Sequence, residues 1–169
     1  NRLALIPRLL LALAGLASTA TRADLIWTRG TGWTVEGGAL SGLAGAEGRN
    51  ALDQMNKARQ SEEDGSHRSA IRTYQAVAKK YPNSIYAPEA LYRSARLRLQ
   101  GHDYAKAFDD FQAVLSRYPN TRRFNEIVGE QYRIASAMLD GARGRMLWGM
   151  LPGFTQRDKA LEFFETILR

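Results

Sequence analysis

The chain has 169 residues, enough for one domain with a core of its own. It has no cysteine, which excludes disulfides, thiolate metal sites and a cysteine nucleophile. Of its net charge of +7, Arg2, Arg8 and Arg22 supply three; the remaining 21 basic and 17 acidic residues (+4) are interspersed, which argues against a nucleic-acid-binding surface.

Residues 1–23 have the layout of a secretory signal peptide. Arg2 and Arg8 form a positive start, residues 9–17 (LLLALAGLA) a short apolar run, and STATRA a small-residue exit, with Ala20 or Ala23 before the cut. The run is too short for a membrane span, which needs about 20 residues. Residues 24–49 hold seven glycines in 26 positions, and each glycine costs a helix roughly 1 kcal/mol against alanine. Trp27, Trp33, Thr34 and Val35 suit a short extended element. The stretch reads as a flexible spacer; the alternative is an arm that docks its tryptophans on the first helix or on a partner.

A helical part begins at Asn50, a suitable N-cap, with Leu52, Met55, Ala58 and Arg59 on one side. Gly65 stops it. In the next helix Ala70, Ile71, Tyr74, Val77, Ala78 and Tyr81 describe one helical face, and Pro82 ends it because a residue before proline is pushed out of the helical region. A helix over about 88–100 carries Pro88 in its first turn, where a missing N–H costs nothing, and stops at Gly101. Another, with Ala107, Phe108, Phe111, Val114, Leu115 and Tyr118, closes on the same Pro-Asn. A helix over about 125–140 is expected to close at Gly141. An insertion over 142–158 then precedes a helix whose Ala160, Phe164 and Leu168 fall where Ala107, Phe111 and Leu115 fell.

Two motifs therefore alternate. Residues 70–83 (AIRTYQAVAKKYPN) and 107–120 (AFDDFQAVLSRYPN) agree at seven of fourteen positions at a spacing of 37. Tyr92, Arg93, Ala95, Leu99 and Gly101 recur as Tyr132, Arg133, Ala135, Leu139 and Gly141. Two antiparallel helices per 34–40 residues make an all-α solenoid over 50–169, of two and a half to three units, each burying its apolar face against its neighbours. The third copy stops at Arg169 before its Tyr-Pro, so the array is expected to continue.

The alanine, aromatic and proline spacing (Ala70, Tyr74, Pro82; Ala107, Phe111, Pro119) resembles the tetratricopeptide repeat, which implies a right-handed superhelix of helix pairs. Residues 81–121 are more closely similar to the periplasmic repeats of the BamD family of outer-membrane assembly factors, and also to the CpoB (YbgF) family of Tol-Pal-associated coordinators of cell-wall synthesis. The first resemblance implies an exported, periplasmic scaffold. It would bind β-barrel assembly subunits or unfolded outer-membrane protein segments and reach the outer membrane through partners, since no cysteine is present to carry a lipid.

His67 and His102 fall at inter-helix turns without ligand-spaced partners, and neighbouring acids such as Glu62-Glu63-Asp64 and Asp109-Asp110 point apart on a helix. Glycine-rich phosphate loops need a preceding strand, and none is expected. No catalytic, metal or cofactor residue is assigned, and the chain reads as a non-enzyme. The resemblance places the first helix of each pair along a concave groove, with Met55, Arg59, Tyr92, Arg96, Leu99, Tyr132 and Leu139 as its lining. The apolar insertion adds Trp148, Leu151 and Phe154 as either a partner surface or a cover for the solenoid edge.

Overall fold

The computed structural model describes residues 24–36, 46–146 and 153–169. Six helices follow a two-stranded antiparallel hairpin: β1 (Asp24–Thr28), β2 (Gly32–Glu36), α1 (Ala46–Glu63), α2 (His67–Lys80), α3 (Tyr86–Gln100), α4 (Tyr104–Arg117), α5 (Phe124–Met146) and α6 (Gly153–Leu168). Consecutive helices pack as neighbours, so the described residues form a tetratricopeptide-like all-α solenoid of three helix pairs.

The sequence repeat is a repeat of backbone geometry. Tyr81 and Tyr118, one before each proline, cap α2 and α4 at φ −127°, ψ 58° and φ −131°, ψ 62°. Their N–H groups bond the Val77 and Val114 carbonyls at 2.9 and 2.8 Å, and their carbonyls accept the Ser84 and Thr121 N–H groups, both at 3.0 Å. Tyr118 also donates its phenol to the Pro82 carbonyl at 2.7 Å, tying one Tyr-Pro turn to the next. At the other end of each pair, Gly65 and His102, again 37 residues apart, take positive φ (74° and 58°). The left-handed conformation there turns the chain from first helix to second.

Small residues set the spacing and large ones fill it. Ala58, Ala70, Ala87, Ala90, Ala95, Ala107 and Ala135 are completely buried among Met55, Tyr74, Tyr86, Phe111 and Ile127. One buried carboxylate joins three helices: Asp110 of α4 accepts from Ser94 Oγ of α3 at 2.6 Å and Gln75 Nε2 of α2 at 3.3 Å, with Arg98 Nη1 of α3 at 3.4 Å. Burial pushes its carboxyl above the usual carboxylate range, against the opposing pull of Ser94, Arg98 and Gln75.

One open reading is decided and two expectations change. Of the spacer and the tryptophan-docking arm, residues 24–36 take the arm: the extended element expected of Trp27, Trp33, Thr34 and Val35 is a pair of strands, because Leu25, Trp27, Trp33 and Val35 alternate with Ile26, Thr28 and Thr34 and so give the hairpin one apolar face. The first helix starts at Ala46, four residues before Asn50, and takes Gly48 inside it. Gly141 does not stop α5, which runs on to Met146, and α6 begins at Gly153, so both ends of the expected insertion are helical. An interior glycine costs a helix only about 1 kcal/mol, which flanking Ala, Arg and Met residues offset.

Candidate protein-binding face

The first helices α1, α3 and α5 present a common face, and the hairpin sits on its α1–α3 part. Trp33 is 3% exposed and belongs to the core. Its backbone N–H donates to Asn56 Oδ1 of α1 at 2.8 Å. Gly32 is required beside this bond, since it has φ 76° and an added Cβ would lie 2.7 Å from Asn56 Oδ1. Two guanidinium groups lie against the tryptophans: Arg59 of α1 is 4.1 Å from the Trp27 ring centroid, and Arg93 of α3 is 5.3 Å from that of Trp33. Both arginines are already neutralised, Arg59 by Glu62 at 2.8 Å and Arg93 by Glu89 at 2.9 Å. Glu62 also accepts the Tyr74 phenol at 2.8 Å, and burial together with that carboxylate pushes the phenol well above its ordinary value.

Between α3 and α5 the face carries a ladder of polar pairs, each spanning 34 residues. Arg123 Nε donates to Glu89 at 3.1 Å, the Tyr92 phenol donates to Glu126, and Arg96 Nη1 donates to Glu130 at 2.7 Å. Arg133 also reaches Glu130 at 2.7 Å, so this buried acid is held by two guanidinium groups. Burial and the Glu126 bond push the Tyr92 phenol up to about 12. Burial works against it, but bonds from Tyr92 and Arg123 hold the Glu126 carboxyl below the usual carboxylate range.

The residues proposed as groove lining divide. Met55 is fully buried and Tyr92 is 6% exposed, so neither faces an open groove; their helical phase turns them into the contact between helices. Arg59 lies under the hairpin, and Arg96 is committed to Glu130. Leu99 and Leu139 are half-buried against the core. Tyr132 alone among them is prominently exposed (58%), with its ring edge-on to Phe164. Trp148 and Leu151 lie outside the described residues, and Phe154 falls in the first turn of α6. His67 opens α2 instead of lying in a turn, while His102 is in one, with Nδ1 3.1 Å from the Tyr104 hydroxyl.

Residues 49–84 and 89–121 match the family model of the tetratricopeptide repeat. Those two stretches are tetratricopeptide repeats. No curated protein and no solved structure matches it. The matched stretches cover α1–α2 and most of α3–α4, so the hairpin rests on the first-helix face of two tetratricopeptide units. What sequence reasoning missed here is the set Asn56, Glu89, Arg93, Arg123, Glu126 and Glu130. A signal was available: opposite charges or a phenol and an acid recur at a spacing of 34, one tetratricopeptide period.

A second surface lies where α2 and α4 begin and α3 ends. A cleft of about 750 Å³ there is lined by Arg68, Arg72, Arg98 and Lys106 over Ile71 and Leu97. It is basic with an apolar floor and lies apart from the hairpin.

Proposed function

We propose that the chain is a protein-interaction scaffold of the cell envelope, exported to the periplasm, that helps to assemble outer-membrane β-barrel proteins. Tetratricopeptide repeats bind other proteins, and the observation that carries the reading is a polypeptide segment seated on this first-helix face: the hairpin, held by stacking and by a main-chain hydrogen bond. Such contacts suit extended polypeptide partners, since aromatic rings and guanidinium groups supply contact area and the main chain supplies register. The envelope setting is supported by the signal-like residues 1–23 and by the similarity of residues 81–121 to BamD-type repeats. The reading assigns no catalytic step.

Crosslinking in cells followed by affinity capture tests it. Recovery of a β-barrel assembly subunit or an unfolded outer-membrane protein is the expected result. Recovery of a peptidoglycan synthase or a Tol-Pal component in its place would transfer the chain to cell-wall coordination, and a cytoplasmic location would remove the envelope reading altogether.

A further inference from the structure

The seat of the hairpin combines three properties. Its contacts follow the array: Arg59 and Arg93 occupy the same place in successive first helices, 34 residues apart, and each guanidinium lies over one tryptophan. Both cations already have carboxylate partners, Glu62 and Glu89, so the face is matched to aromatic rings and not to acidic groups. Its hydrogen bonding includes the main chain, through Asn56 and the Trp33 N–H. The fit is also incomplete. The Trp33 indole N–H is buried with no hydrogen-bond partner among the described residues, an unmade bond that weakens the hairpin's hold. A two-stranded hairpin is marginally stable by itself, and this one joins α1 through only nine residues, 37–45, four of them glycine.

We infer that the α1–α3 face is a recognition surface for an extended, tryptophan-bearing polypeptide segment, and that the β1–β2 hairpin is its built-in and displaceable occupant. The inference rests on the scaffold reading and gives that partner a chemistry. The partner presents two aromatic rings on one face of a strand or hairpin, flanked by aliphatic side chains as Trp27 and Trp33 are by Leu25 and Val35. It takes the Asn56 bond with a backbone N–H. A segment that also satisfies the indole N–H gains what the hairpin forgoes, and so displaces it.

The test uses a labelled synthetic peptide with the sequence of residues 24–36 and the whole chain in three forms: unchanged, Trp27→Ala with Trp33→Ala, and Gly32→Ala. The alanine at 32 strains the positive-φ turn and pushes Asn56 away from Trp33, and the substitution replaces no side chain of the helix core. Both altered chains should bind the peptide at least ten-fold more tightly than the unchanged chain, whose face is occupied in cis. Adding Arg59→Ala and Arg93→Ala to the Gly32→Ala chain should abolish the gain, and so should a peptide with both tryptophans replaced. Circular dichroism reports whether each chain keeps its helices, and Gly32→Ala decides alone if the tryptophan variant does not fold. Equal binding by all three forms, or none by a helical Gly32→Ala chain, overturns the inference. Partner capture by the unchanged chain in cells would leave the scaffold reading standing in that event.

Discussion

Phe108 of α4 and Phe163 of α6 lie face to face, with ring centroids 3.7 Å apart and planes within 1° of parallel. Both are buried, and the stack joins the second helix pair to the third. Phe163→Ala should therefore destabilise the chain by about 3 kcal/mol, in the usual range for removing a buried phenylalanine, and Phe163→Leu by about half as much. Denaturant unfolding measures both. A loss under about 1 kcal/mol for the alanine variant would show that α6 is not energetically coupled to α4.

Asp110 should make stability fall as pH rises through the range just above ordinary carboxylate values. Its folded-state carboxyl is raised, so in that window the native chain holds more protons than the unfolded one, and the slope of stability with pH is negative. Asp110→Asn removes this term. The stability difference between parent and variant should shift against the parent as pH rises above the ordinary carboxylate range. Asp110→Ala, which strands Ser94 and Gln75, should cost about 2 kcal/mol more than Asp110→Asn, a gap that stays constant with pH because neither variant titrates there. A parent–Asn difference that does not vary with pH would show that the carboxyl is not raised.

Tyr92→Phe removes one rung of the α3–α5 ladder. Glu126 is 41% exposed, so the bond is discounted to about 1 kcal/mol. The phenol's folded value is raised, so its contribution is complete below the ordinary tyrosine range and is lost as pH rises through about 12. Alkaline difference spectra should show one fewer late-ionising tyrosine in the variant. An unchanged count would mean that Tyr92 ionises like a solvated phenol.

His102 holds the left-handed turn position that Gly65 holds in the preceding pair. A β-branched residue tolerates that conformation poorly, so His102→Val should cost about 1–2 kcal/mol and lower the melting temperature by several degrees. His102→Gly should be neutral or stabilising. Equal melting temperatures for the valine and glycine variants would show that the turn relaxes away from positive φ.

The tetratricopeptide part was legible because its signals are local. Proline after Tyr81 and Tyr118 fixes where helices end, and a 3.6-residue period from Ala70 to Tyr81 fixes which face is buried. The hairpin was hard to read because its strands are five residues each and glycine density masks their alternation; only Leu25, Trp27, Trp33 and Val35 betray a common face. The groove lining was not legible for a different reason. Helical phase places Tyr92 on the side of α3 toward its neighbours, but whether that side is open or closed depends on how near α5 packs, and Glu126 closes it. Likewise the repeat register sets Arg59 on the first-helix face, while its position beneath Trp27 depends on a segment 32 positions earlier in the chain.

The 34-residue ladder makes the repeats non-interchangeable. At the positions where α3 carries Glu89, Tyr92 and Arg96, α1 carries Met55, Ala58 and Glu62. Excising the middle unit would bring α1 beside α5 in the same register, setting Met55 against Arg123, Ala58 against Glu126 and Glu62 against Glu130. Two attractive pairs and a phenol–carboxylate bond would give way to unmatched charge and one like-charge pair. The polar pairs thus encode the sequence of units along the stack, an address that the shared apolar core, being nearly the same in each unit, does not carry.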